Sequence, residues 1–132
     1  ISGHNIDDIA AIYSLAQMLT NRIYEVEQHD RERLHVAGVF ANNFSNLMYR
    51  IAEDILADTQ IPFQALLPLI DQTAQKVHKI TPKEAQTGPA KRDDKNVMRH
   101  HLEVLRGAVT KSAFSPDEKA EVYELLSRLI QK

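Results

Sequence analysis

The stretch LHVAGVFANNFSNLMY, residues 34–49, decides how the chain is read. It contains no Asp, Glu, Lys or Arg, whereas Asp30, Arg31, Glu32 and Arg33 precede it and Arg50, Glu53 and Asp54 follow. At 100° per residue, Leu34, Ala37, Ala41, Phe44, Met48, Ala52 and Ile55 share one helical face. Val36, Phe40, Leu47 and Ile51 widen that face to roughly half the circumference, beyond the ~100° stripe of an ordinary surface helix. Such a helix is expected at the centre of a bundle. The remaining arc holds His35, Asn42, Asn43, Asn46 and Tyr49, polar but uncharged groups that require hydrogen-bond partners. Two readings stand: buried, mutually satisfied amides with a packing histidine, or the lining of a cleft.

The 132 residues suit one domain of ordinary size. A net charge of −2 and a pI near 6.3 give no electrostatic basis for nucleic acid or an anionic membrane. The absence of cysteine excludes disulfides, thiolate catalysis and cysteine zinc sites, and fits a cytoplasmic setting. No apolar run reaches the ~18 residues of a membrane span, and no signal peptide is visible. The sequence opens at Ile1 without an initiating Met, in what reads as the end of a strand, which points to a piece of a longer chain.

Outward from the central stretch, the spacing predicts a long helix over residues 30–58. On its N-terminal side, Ile1, Ser2 and Gly3 read as a strand end, and Asn5 as the cap of a helix carrying Ile9, Ile12, Leu15, Ala16 and Leu19. Arg22 to Val26 alternates as a short strand. Strand, helix and strand form half of a parallel β/α unit that cannot stand alone. On the C-terminal side, Pro62 opens a helix whose pattern Pro68 should break. Thr81 to Glu84 and Ser115 to Glu118 are capping boxes. Residues 87–94 read as a loop, Asp93 or Asp94 as the cap of the next helix, and Gly107 as its stop. The buried stripe of that helix is expected to be Val97, His101, Leu102 and Leu105, and the final helix carries Val122, Leu125, Leu126, Leu129 and Ile130. The fold expected is mainly α, a helical bundle around one long central helix. Residues 1–26 would be the remnant of a Rossmann-like α/β domain, and residues 27–132 the helical domain.

The six histidines offer no i,i+4 pair, so no metal site is expected, and the four glycines are scattered, so no phosphate loop or GxGxxG is present. The loop from Gln86 to Asp93 carries two cations and leads into a helix N-terminus. That is either a solvated connection or a place for a carboxylate or phosphate oxygen.

Three motifs together resemble one family: residues 33–46; Leu66 to Ile70 with Thr73; and Thr87-Gly-Pro-Ala-Lys-Arg-Asp93 ahead of His101 and Leu102. It is the helical C-terminal domain that follows a Rossmann-like NADP-binding domain in bacterial oxidoreductases of the deazaflavin-dependent NADP-reductase-like kind. Its wider group includes phosphogluconate dehydrogenase, ketopantoate reductase and pyrroline-5-carboxylate reductase. The likeness runs over residues 28–105. It implies a helical domain that closes a substrate cleft and forms a homodimer, with NADP bound by the preceding domain and a small anionic or carbonyl substrate. The family's His falls on His35, its Ala-x-Asn on Ala41, Asn42 and Asn43, and its second Asn on Asn46. Its Thr-Gly-Pro, Arg and Asp fall on Thr87, Gly88, Pro89, Arg92 and Asp93. Gly38 stands where the pattern has Ala, which would let another backbone come close. The lysine of ketopantoate reductase has no counterpart. The resemblance implies catalytic roles for His35, Asn43 and Asn46, with His35 as acid–base group because an imidazole ordinarily titrates near ~6.5. It implies substrate contacts for Thr87, Gly88, Pro89, Arg92 and Asp93. The rival expectation is a non-enzymatic oligomerisation module whose polar arc forms an interface network.

Overall fold

The computed structural model of the chain describes residues 1, 5–107 and 112–132. The helices are α1 (Ile6–Gln17), α2 (Gln28–Gly38), α3 (Ser45–Leu56), α4 (Leu67–Lys76), α5 (Pro82–Ala85), α6 (Lys95–Gly107) and α7 (Pro116–Ile130). A π-helical segment, Val39–Phe44, joins α2 to α3, and a 3₁₀ turn, Phe63–Leu66, precedes α4. The chain divides into two compact units, Ile1–Asn46 and Leu47–Lys132. The described residues are mainly helical.

In the first unit, Asn5 caps α1 by accepting from the Asp8 N–H, with Asp7 and Asp8 in the first turn, where the helix dipole favours carboxylates. No strand forms among the described residues, which corrects the expectation of one from Arg22 to Val26. Ser2 and Gly3, expected at the end of the first strand, lie outside the described residues. Ile1 does exchange backbone bonds with its neighbour: its nitrogen donates to Tyr24 O and its carbonyl accepts from the Val26 N–H at 3.1 Å. That alternation is a single rung of parallel pairing opposite Glu25. One rung, with no further strand beside it, does not make a ladder. Of the α1 stripe, Ile9 and Ala16 are half-buried while Leu15 and Leu19 are exposed.

The uniform helical wheel fails at Val39–Phe44. A π turn takes in one more residue than an α turn, so side chains beyond it are rotated by about 100° from an unbroken helix. Phe40 and Phe44 meet edge to face there, centroids 4.9 Å apart, and both remain exposed. Gly38 precedes the segment in ordinary helical geometry, and a Cβ placed on it would meet nothing. Among the described residues, the close backbone approach expected at Gly38 is therefore absent.

In the second unit, Pro68 falls in the first turn of α4, directly after the 3₁₀ turn. A missing N–H costs nothing at that position. Both capping boxes form: Thr81 with Glu84, and Ser115 with Glu118. α6 packs on α7, which Arg106 and Glu124 bridge at 3.0 Å.

The buried face of α7 is not the leucine stripe. Lys119, Ala120 and Ser127 are buried, Val122, Tyr123 and Ile130 half-buried, and Leu125, Leu126 and Leu129 exposed. Small side chains at 120 and 127 allow close packing, and Lys119 is drawn inward by Asp54 of α3, Nζ to Oδ2 at 2.5 Å. The Lys119 side chain is 2% exposed and that of Asp54 14%. Asp54 also accepts from the Ser112 hydroxyl and, at 3.3 Å, from the Ala113 N–H. The Arg50 guanidinium lies 5.0 Å over the Phe114 ring. α3 thus holds the segment entering α7 at two points one helical turn apart. The Lys119 ammonium, then the Ser112 hydroxyl, hold the Asp54 carboxyl below its ordinary value of 3.8.

Because that value is lowered, the carboxylate's stabilisation is present above the unfolded value near 4 and lost as pH falls through the folded one. Asp54→Ala strands a buried ammonium and is expected to cost about 3–5 kcal/mol in urea unfolding. Asp54→Ala combined with Lys119→Met should recover most of that loss. The acid limb of the wild-type stability curve should flatten in the double variant.

Candidate functional site

Two groups of residues carry polar chemistry without structural employment, and a third, unforeseen, lines a cavity. In the first unit His35, Asn42, Asn43 and Asn46 are all exposed, and among the described residues their side chains make no hydrogen bond. Among the described residues, therefore, they are not a buried, satisfied network. Asn42 and Asn43 stand on the π segment, Asn46 on the first turn of α3, His35 near the end of α2. π-helical turns are rare, and they occur most often where a helix carries function.

Ser45 opens α3 directly after the π segment. Its backbone N–H bonds Asn42 O, not the Ala41 carbonyl an α-helix would use. Its hydroxyl donates to the Ala41 carbonyl at 3.1 Å, with Phe40 O at 3.5 Å, the same back-bond that Ser14 and Thr73 make in regular α-helices.

The loop in the second unit is a built object. Pro89 to Arg92 forms one helical turn ended by a Schellman motif: Asp94 N–H to Pro89 O at 3.0 Å, Asp93 N–H to Ala90 O at 3.2 Å. The residue required to be left-handed is Asp93, with φ 52°, and Gly88 ahead of the turn has φ 107°. The Asp93 carboxylate accepts from Gln131 Nε2 at 2.9 Å and lies 3.7 Å from Lys95 Nζ, tying the loop to the C-terminal end of the chain. Ala90 is buried beneath it. Asp94 caps α6 through the Val97 N–H.

At the end of this loop the backbone N–H groups are engaged. Those of Arg92, Asp93, Asp94 and Lys95 all meet backbone carbonyls, and Val97 and Met98 meet Asp94. What the loop offers is side-chain charge: Lys91 and Arg92 are exposed and, among the described residues, make no hydrogen bond or ion pair. Thr87 is exposed, and Gly88 and Pro89 half-buried. The polar arc belongs to one compact unit and this loop to the other.

The third feature is a cavity of about 530 Å³ between α3, α6 and α7. Its walls are apolar (Met48, Ile51, Ile55, Val104, Leu105, Val122 and Leu126), and His101 and Tyr123 meet on them, Nδ1 to the hydroxyl at 2.9 Å. Sequence spacing signalled neither this pair nor Asp54–Lys119, since both join residues far apart in the chain. Among the described residues no three His, Asp or Glu side chains converge as a metal would require, and no helix is long and apolar enough to cross a membrane.

A dinucleotide pyrophosphate needs a glycine-rich turn opening a helix, with backbone close to the phosphates. Gly38, Gly88 and Gly107 stand far apart in sequence, and none has a neighbour that a Cβ would meet. The described residues do not fit that group.

A crystal structure of a putative NADP oxidoreductase from Bacteroides fragilis matches with a TM-score of 0.85 and 43% sequence identity. The match covers 98% of this chain and 47% of the other, so this chain spans about half the length of that protein. Comparison with curated proteins found no match. A family model described as "Domain of unknown function (DUF2520)" matches residues 1–130. Extending over nearly every element described above, that match places the chain in the DUF2520 family.

Proposed function

We propose that this chain is the helical, substrate-side part of an NADP-dependent oxidoreductase, which closes over a small anionic or carbonyl substrate and pairs two copies of the protein. The observation that carries the reading is the 43% identity, over 98% of the chain, to a putative NADP oxidoreductase of twice the length. Because the described residues do not fit a pyrophosphate, the dinucleotide is assigned to a Rossmann-like domain of the intact protein. The single parallel rung at Ile1 is what an abutting sheet would extend. The likeness of residues 28–105 to the helical domain of deazaflavin-dependent and phosphogluconate-dehydrogenase-like reductases supports the same division of labour.

On this reading the nicotinamide supplies the hydride, and the chain supplies orientation and a proton. Asn43 and Asn46 are amide donors for a substrate carbonyl, and His35 is the proton donor or acceptor beside it. Taken by itself, the Arg92 guanidinium is a contact for an anionic group, and its backbone is set by the Asp93 turn. Thr87, Gly88 and Pro89 shape the wall of that subsite.

Pairing has its own support. Leu125, Leu126 and Leu129 on α7 and Val104 on α6 are exposed, and apolar faces of this kind mark interfaces. The same observation favours the second reading, a non-enzymatic oligomerisation module. Turnover separates the two.

The test is oxidation of NADPH by the intact protein against small carbonyl compounds with and without a carboxylate. Turnover of none of them would leave the module reading in possession. With a carboxylated substrate, Arg92→Ala should raise KM about 10- to 100-fold, the loss of one charge-assisted hydrogen bond, with Tm unchanged. His35→Gln should remove the limb of the pH–rate profile near neutrality. The neighbouring Asp93 should behave oppositely to Arg92. Asp93→Ala places a Cβ residue without a local acceptor in the left-handed region and should lower stability by about 1–2 kcal/mol, whereas Asp93→Gly should stay near wild type. Sedimentation at micromolar concentration should show a dimer, and Leu126→Glu with Leu129→Glu should yield monomers. Calorimetry with residues 1–132 alone should show no micromolar binding of NADP.

A further inference from the structure

We infer that the cavity between α3, α6 and α7 is a binding site for a small carboxylic acid with an apolar body. The inference stands on residues of the second unit alone and goes beyond the oxidoreductase reading, from which it takes nothing. At about 530 Å³ the cavity has the size of small-molecule sites, which are apolar in the main and carry a few convergent polar groups. Its apolar wall comes from three helices, with Met48, Ile51 and Ile55 on α3, Val104 and Leu105 on α6 and Val122 on α7.

On that wall stands the pair of His101 and Tyr123, Nδ1 to the hydroxyl at 2.9 Å, with ring centroids 5.7 Å apart. Counting hydrogens shows what the pair offers. A neutral imidazole has one donor and one acceptor, and a phenol has one donor. If the hydroxyl donates to Nδ1, the Nε2 N–H is unspent. If Nδ1–H donates to the phenol oxygen, the phenol hydrogen is unspent. Either tautomer therefore keeps one donor for a ligand oxygen.

Charge narrows the class. Apart from Tyr123, the ionisable side chains among the described residues of the lining are His100, His101 and Lys119, with no Asp or Glu. Lys119 has its own counter-ion in Asp54 at 2.5 Å, and His100 has Glu103 at 3.6 Å. A carboxylate brought to the pair meets no carboxylate of the lining. The His100 side chain is 72% exposed, which leaves the charged end of the ligand a path to water while its body is buried. Val104 and Leu126 also belong to the face proposed for pairing, whereas Leu125 and Leu129 do not line the cavity, so a second copy is the rival occupant.

The experiment is titration of the intact protein with octanoate, read by calorimetry and by methyl NMR of Met48, Ile51, Ile55 and Val122, beside butyrate, hexanoate and octylammonium. Octanoate is expected to give saturable shifts at those methyls and to raise Tm. Affinity should grow about fourfold for each methylene added to butyrate. Octylammonium, which accepts no hydrogen bond, should bind about tenfold more weakly than octanoate. His101→Leu and Tyr123→Phe each leave one donor, so either alone should change octanoate affinity by less than about threefold; together they remove both donors and should lower it about tenfold. Replacing both partners of a hydrogen bond by apolar groups is close to neutral for stability, so the double variant should keep its Tm. No saturable shift at those methyls with millimolar octanoate would overturn the inference, as would octylammonium binding as tightly as octanoate or a folded double variant binding like wild type. Binding that appears only when the protein is diluted to monomers would give the cavity to a second copy and overturn it equally.

Discussion

Asp54 of α3 accepts from the Lys119 ammonium, the Ser112 hydroxyl and the Ala113 N–H, so one carboxylate joins α3, the segment at 112–115 and α7. The second unit depends on it because few apolar side chains of this chain are buried: among the described residues only Ala90, Leu105 and Ala120 are deeply so. A buried ion pair is weak evidence of net stabilisation, since two ions must be desolvated to form it. It does specify geometry. With Lys119 turned inward and Ala120 and Ser127 beside it, the rotation of α7 is determined: Leu125 and Leu129 are left exposed, and Leu126 stands on the cavity wall. A stripe that would ordinarily have formed the core of this helix becomes an outer surface.

The first unit follows a different logic. It is held by backbone pairing at Ile1, by capping at Asn5 and by the helical run itself, and none of its described residues is fully buried. Its polar arc is therefore presented, not packed. An Asn or His that makes no intramolecular hydrogen bond is a group whose partner is water or something bound. Asparagines in an α-helix are mildly unfavourable, and two of them together on a π turn add a further local conflict. Conflicts between local preference and fold collect where function is carried.

At the loop, local satisfaction and external availability are separated residue by residue. The backbone of Arg92 to Lys95 spends its N–H groups on carbonyls, and Asp93 takes the left-handed turn and ties it to Gln131. Lys91 and Arg92 are left facing outward. Such a loop fixes the Arg92 backbone and leaves its guanidinium exposed, without an amide cradle.

Much of the helical layout was legible in order along the chain. The caps at Asn5, Thr81, Asp94 and Ser115, the break at Pro68 and the loop around Gly-Pro are short-range chemistry, decided within four residues of each signal. The charge-free arc at residues 35–46 was legible for the same reason, because residue types are visible without coordinates. What lies at long range was not. A strand reads the same whether or not a neighbour completes its ladder, so Arg22 to Val26 was expected as β and lacks one. A helical wheel presumes constant register, so it could not show the π segment at Val39–Phe44. Lys119 and Asp54 each look like solvated charges, His101 and Tyr123 like unrelated residues, until residues 65 and 22 positions apart are brought together. Sequence by itself determined where helices start, stop and carry polarity, because those effects are local. Only the tertiary structure decided which face of α7 is buried and which groups meet, because burial of a charge depends on a partner that no spacing announces.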